Sequence, residues 1–243
     1  NNISDESSAI LERQAKHLSD NGFAVEVVYI RGIPFDVIVH EAQTRNASLT
    51  VIGRSDSPRW KTRILGETVL RVLEMSPCPV LVCCNCSGEG ELLRDLMLGI
   101  DFSNEAYTAL QIVRKTAVDV PGLLGKVSLL HIHEQTNIDL LLKLVNRDQI
   151  EKIIAVEQER LEEMAQSLKQ AGIGEVSVRM RTGKPVDEML ADISENLPTM
   201  AVLGAQGQGR SDLYRIGTTA FRVTQLAECP VLVIPLQRPP LPM

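Results

Sequence analysis

The chain has 243 residues, 44% of them apolar and 23% charged, material for one large or two small globular domains. It contains no run of about 18 apolar residues, which excludes a membrane-spanning helix. A net charge of −6 with one Trp, three Tyr and four Phe argues against nucleic acid as the main partner, because such surfaces rely on basic patches and stacked aromatics.

In chain order, residues 1–83 read as the back part of a domain that occurs again further on. Val51-Ile52-Gly53 returns as Val202-Leu203-Gly204, and Cys78-Pro79-Val80-Leu81-Val82 as Cys229-Pro230-Val231-Leu232-Val233, both shifted by 151 positions. In the same register Gly32, Pro34, Asp36, Gly66, Thr68 and Arg71 fall on Gly183, Pro185, Asp187, Gly217, Thr219 and Arg222. Two long copies of this kind are tandem domains rather than a short-period solenoid. Projecting the start of the second copy back by the same shift places the first copy's start about 58 residues before Asn1. The first domain is therefore expected to be incomplete at its N-terminus. Residues 84–92, with small and turn-forming side chains, read as the linker.

The second copy, residues 93–237, alternates strands and helices. The apolar runs 93–100, 127–132, 200–204 and 230–234 predict buried strands, and 176–180 alternates as another. Ser103 is a good N-cap for a helix through Tyr107, Leu110 and Val113. A long helix is expected over 137–170, with Ile150, Ile153, Ile154, Leu161, Met164 and Leu168 on its apolar side and Gly172 or Gly174 at its end. Its charges, Glu157, Glu159, Arg160, Glu162 and Glu163 among them, read as a solvated face. Shorter helices follow over 185–193 and 217–227. This order predicts an α/β fold, a mostly parallel sheet with helices on both faces, with ligands at the carboxyl ends of the strands near the switch in strand order.

The segment following the fourth of these strands is Gly204-Ala205-Gln206-Gly207-Gln208-Gly209-Arg210, and Gly217-Thr218-Thr219 opens the next helix. Glycines allow close backbone approach to a ligand, and a helix start offers unpaired N–H groups and a positive dipole end. Thr218 and Thr219 add hydroxyl donors. The pattern suits a phosphate; its plainer reading is a flexible surface loop. It is neither a Walker loop, lacking Gly-Lys-Ser/Thr, nor the dinucleotide fingerprint, which follows the first strand of its unit.

Gly204-x2-Gly207-x9-Gly217-Thr218 resembles the ATP-binding signature of the universal stress proteins, G-2x-G-9x-G-S/T. Gly99-Ile100-Asp101-Phe102-Ser103, Leu129-Leu130-His131-Ile132, Gly183-Lys184-Pro185 and Ala227-Glu228-Cys229-Pro230-Val231-Leu232-Val233 resemble other segments of that family in the right order. The resemblance implies two tandem parallel-sheet domains of the adenine-nucleotide alpha-hydrolase-like class. It also implies a stress-response role with ATP or AMP as ligand, Mg2+ being an accompanying ion. Asp101 and Ile132 would hold the adenine, with Gly99 lining the wall. Leu203, Gly204, Gly207, Gly209, Gly217, Thr218 and Thr219 would hold ribose and phosphates. Arg210 would neutralise phosphate by charge alone. For Asp101 a simple turn into the helix is the competing reading. Dimers in this family form through last strands, so a homodimer or an internal pseudo-dimer of Pro79–Cys83 with Pro230–Ile234 is expected. A slow ATPase or nucleotidyl transferase, and a scaffold with an empty pocket, are the alternative functions.

The first copy has Asp56 where the second has Gly207, and Glu67 where the second has Thr218. Carboxylates at phosphate positions cost on the order of several kcal/mol in a poorly solvated site, so the first copy is expected not to bind ATP. The five cysteines, with Cys83, Cys84 and Cys86 crowded together, and the absence of a leader pattern predict reduced thiols and a cytoplasmic location. No metal site is expected: the cysteine cluster has no second ligand set, and His131 and His133, one strand period apart, show no third ligand beyond the nearby Glu134. Cys78 and Cys229 read as packing residues.

Overall fold

The two last strands, Val80–Cys83 (β2) and Val231–Ile234 (β7), are short, apolar and rich in valine, and almost wholly buried. Such strands need partners on both edges, and in the computed structural model of the chain they find each other. They pair antiparallel, Val80 opposite Val233 and Val82 opposite Val231. Residues 2–54, 65–84, 91–134, 147–207 and 216–235 are described.

The remaining strands are Thr50–Gly53 (β1), Asp95–Gly99 (β3), Lys126–Glu134 (β4), Glu175–Gly183 (β5) and Met200–Gly204 (β6). One seven-stranded sheet results, in the order β1-β2-β7-β6-β3-β4-β5. Every neighbouring pair is parallel except β2 with β7. The internal pairing of the last strands is thus present. Because each of them is flanked on both sides within the sheet, neither offers an edge for a homodimer of that kind.

The helices are Asn2–Asp20 (α1), Pro34–Thr44 (α2), Glu67–Met75 (α3), Asn104–Asp119 (α4), Arg147–Gln170 (α5), Pro185–Asn196 (α6) and Thr218–Leu226 (α7). Ser103 caps α4, its hydroxyl accepting from the Ala106 N–H at 3.2 Å. Gly172, at φ 98°, turns the chain just beyond α5. Alternate residues of β3 feed two cores. Leu96 and Leu98 join Leu110, Val113, Leu161 and Leu168 from α4 and α5. Met97 joins Val72, Leu73, Met189, Ile193 and Val223 from α3, α6 and α7. The second core therefore runs across both copies. At roughly 1.5–3 kcal/mol for each large apolar side chain buried, this shared layer ties the two copies together.

Shifted by 151 positions, α2, β1, α3 and β2 coincide with α6, β6, α7 and β7 to within a residue or so. The counterpart of β5 is the exception. Residues 23–30 form no strand, and Phe23, Val28, Tyr29 and Ile30 are exposed. The reason is topological. β5 is held only by β4, and the described residues of the first copy include no counterpart of β4 to supply a ladder. β1 matches β6, which pairs with β3; the described residues of the first copy include no counterpart of β3 either, so β1 is a sheet edge and Val51 is 60% exposed.

Cys78 and Cys229 are buried free thiols, and burial pushes Cys229 up to about 11, consistent with packing roles. Cys84 is disulfide-bonded, contrary to the expectation of reduced thiols throughout. The side chain of Arg54, just beyond β1, crosses from the first copy to the second. It is buried, and its guanidinium donates to the carbonyls of Thr224 (2.7 Å), Gln225 (3.0 Å) and Ala227 (2.9 Å). These lie at the C-terminal end of α7, where carbonyls lack helical partners and the dipole favours a cation. Arg54→Ala strands them in the interior. The expected loss is about 2–3 kcal/mol, read as a lower urea midpoint at unchanged m-value; a change within experimental error would contradict the clasp.

Candidate functional site

The five strands of the second copy lie in the order β7-β6-β3-β4-β5. The chain runs outward from β3 in one direction through β4 and β5, then returns to the other side at β6. A crevice must open at the carboxyl ends of β3 and β6, where the helices following them depart to opposite faces.

At the end of β3 the backbone turns sharply. Phe102 takes φ 61°, a left-handed conformation costing a bulky residue about 1–2 kcal/mol. Packing holds it there: Phe102 is buried, the Arg160 guanidinium lies 4.2 Å from its ring centroid, and the His131 ring lies 4.9 Å away. One oxygen of Asp101 accepts from the Ser103 N–H (3.0 Å) and hydroxyl (2.5 Å). Asp101 thus serves the turn into α4, as its plainer reading held, and also lines the crevice with its other oxygen.

The loop after β6 packs against this turn at distances only glycine allows. A Cβ on Gly207 would stand 2.6 Å from Asp101 Oδ2, and one on Gly204 would stand 2.7 Å from the Glu105 Cβ. A Cβ on Gly99 would stand 2.7 Å from Leu203 Cδ2. Gly217 donates its N–H to the Ala205 carbonyl at 2.7 Å and holds the N-cap position of α7 without a side chain to cap it. The start of α7, with Thr218 and Thr219, borders the same space. In the first copy, Cβ atoms on Gly53 and Gly66 would meet nothing within 4 Å.

The space enclosed is a cavity of about 780 Å³, within the size range of small-ligand sites. Gly99, Asp101, Ile132, Leu203, Gly204, Gly207, Gly217, Thr218 and Thr219 all line it. Gly209 and Arg210 lie outside the described residues, as do Asp56 and Cys86. Lys184 and Asp187, at the start of α6, add one charge of each sign to the lining.

The far wall differs from expectation. β4 runs on to Glu134, so His133 lies within the strand rather than in a loop, and its ring meets that of His131 edge-on at 4.8 Å. Burial, with the neighbouring His131, holds His133 below the usual histidine range, against the opposing pull of Glu157. Glu157 and Arg160 turn inward from α5, while Glu159, Glu162 and Glu163 face solvent. The signal for Glu157 is its position: it falls on the apolar stripe Ile150, Ile154, Leu161, Leu168 at three- and four-residue steps. Ile153, expected on that stripe, is 42% exposed.

A doubly wound α/β sheet with a glycine-lined cavity at its switch point defines the class by its fold, one that places ligand sites where this cavity lies. The sequence model described as "Universal stress protein family" matches residues 3–83 and 93–235. The chain belongs to that family. It is 30% identical over 82 residues to the universal stress proteins YxiE of Bacillus subtilis and MJ0577 of Methanocaldococcus jannaschii. Those alignments cover 34% of this chain and 55% and 51% of the two relatives, so the match spans about half the length of each. In structure, a universal stress protein from Archaeoglobus fulgidus superposes with TM-score 0.69 at 24% identity, covering 96% of this chain and 79% of that one. A protein from Pseudomonas aeruginosa gives TM-score 0.67 at 18% identity, covering 95% and 78%. At these identities the superpositions establish the fold.

The unequal crowding around equivalent glycines yields a paired test. Gly204→Ala should cost about 1–3 kcal/mol by overpacking, whereas Gly53→Ala should stay within about 0.5 kcal/mol of the wild type. Thermal melting of both variants checks this, and equal costs would contradict the packing described.

Proposed function

We propose that the chain is a cytoplasmic regulatory protein of the stress response whose second domain binds an adenine nucleotide, ATP or AMP, while its first domain does not. The observation that carries this reading is the convergence on one cavity of the residues that match the family's nucleotide signature. In this reading Ile132 and Gly99 flank the adenine, and Asp101 accepts from its exocyclic amine. The loop from Gly204 to Gly207 follows the ribose and phosphates. The phosphate end meets the N–H groups and hydroxyls at the start of α7, where the helix dipole favours negative charge.

The fit is supported by the close approaches. The segment Gly204–Gly207, packed this closely on Asp101 and Glu105, gives part of the ligand wall a set position, which reduces the entropy lost on binding. The first copy supports the asymmetry. Glu67 opens α3 where Thr218 opens α7, placing a carboxylate at the corresponding helix start.

Calorimetric titration of the full chain with ATP is expected to give one site per chain; two equivalent sites would refute the asymmetry. Gly207→Asp sets a second carboxylate against Asp101 in the path of the phosphates and is expected to abolish binding. Retention of wild-type affinity by that variant would remove the cradle from the account. Mass spectrometry of ligand released on denaturing freshly purified protein provides an independent readout of the nucleotide's identity.

A further inference from the structure

The His131, His133 and Glu157 side chains meet on the cavity wall away from the start of α7, and the nucleotide reading assigns no role to His133 or Glu157. Their side chains are 9%, 12% and 25% exposed. His131 Nδ1 lies 2.7 Å from the Ile100 carbonyl. A carbonyl only accepts, so Nδ1 carries a proton, and in the neutral imidazole Nε2 presents a lone pair. That lone pair stands 3.9 Å from Glu157 Oε2, itself an acceptor. The same oxygen lies 3.3 Å from His133 Nδ1, yet it is buried without a hydrogen-bond partner, as is His133 Nε2. A carboxylate oxygen and two imidazoles thus converge on a small buried space, and an unsatisfied buried carboxylate oxygen costs free energy unless a positive centre meets it.

We propose that His131, His133 and Glu157 bind one divalent transition-metal ion of the zinc type. One ligand atom from each residue can be chosen so that all lie within 4.8 Å of one another. Zinc bonds to nitrogen and carboxylate oxygen are about 2.0–2.2 Å long, which sets neighbouring ligand atoms in a tetrahedron about 3.3 Å apart. One separation already has that value, and the 3.9 Å separation closes with a small side-chain adjustment. Two imidazoles and one carboxylate form a set suited to zinc and its neighbours rather than to magnesium or calcium, which take oxygen ligands. The Ile100 carbonyl supplies the outer hydrogen bond that fixes the tautomer and orientation of a metal-binding histidine. All three side chains line the cavity, so the remaining coordination position opens onto it. The site stands independently of the nucleotide reading, since none of its ligands is assigned to the phosphates.

The test uses the full chain without an affinity tag, stripped with chelator and titrated with Co2+ as a spectroscopic probe. One equivalent is expected to produce the visible absorption of a low-coordinate nitrogen–oxygen site, and Zn2+ to displace it. Glu157→Gln, which preserves shape, and His133→Ala are each expected to weaken binding by more than about 10-fold. Melting of the metal-free variants establishes that they fold. Absence of the Co2+ spectrum in the wild type would overturn the proposal. So would an unchanged spectrum and affinity in Glu157→Gln, which would place the ion elsewhere, for instance at the Cys83 thiol.

Discussion

The contact on which the cavity depends is the approach of the loop after β6 to the end of β3, closer than a methyl group permits. Gly207 rests against the Asp101 carboxylate and Gly204 against Glu105, while the strained turn at Phe102 holds Asp101 in place from below. Close-packed interiors tolerate little change in volume, so these glycines are fixed by geometry as much as by any ligand.

The second organising feature is the junction between copies. Antiparallel pairing of β2 with β7 joins the two repeats in one sheet, and the core on one face passes beneath α3, α6 and α7 alike. Arg54 extends the junction to the C-terminal end of α7. The first copy thus buttresses the helix whose opposite end borders the cavity. Among the described residues, Cβ atoms on its glycines Gly53 and Gly66 would meet nothing within 4 Å.

Much of this was legible in the sequence because repeats and periodicity are local signals. The 151-residue shift aligned α3 with α7 and β2 with β7, and the apolar runs together with the alternating segment 176–180 located the strands of the second copy, with boundary differences of a few residues. The glycine spacing identified the cavity's rim. What sequence did not reveal depended on contacts between distant segments. Residues 23–30 have the composition of a strand but no partner to pair with. Arg54 reads as an ordinary loop cation until the junction places it beneath α7. Glu157 was grouped with its charged neighbours, although its place on the apolar stripe of α5 marked it as inward-facing. His133 lies beyond the apolar run 127–132, yet β4 continues to Glu134, held by the full-length ladder with β5.

The central claim, that the crevice between β3 and β6 holds an adenine nucleotide, is tested most directly by a crystal structure of the full chain grown with a non-hydrolysable ATP analogue. The account predicts difference density for one nucleotide per chain, its base beside Ile132 and its phosphates at the Thr218–Thr219 end of α7. Density lodged elsewhere, or a crevice left empty at saturating analogue, would contradict it.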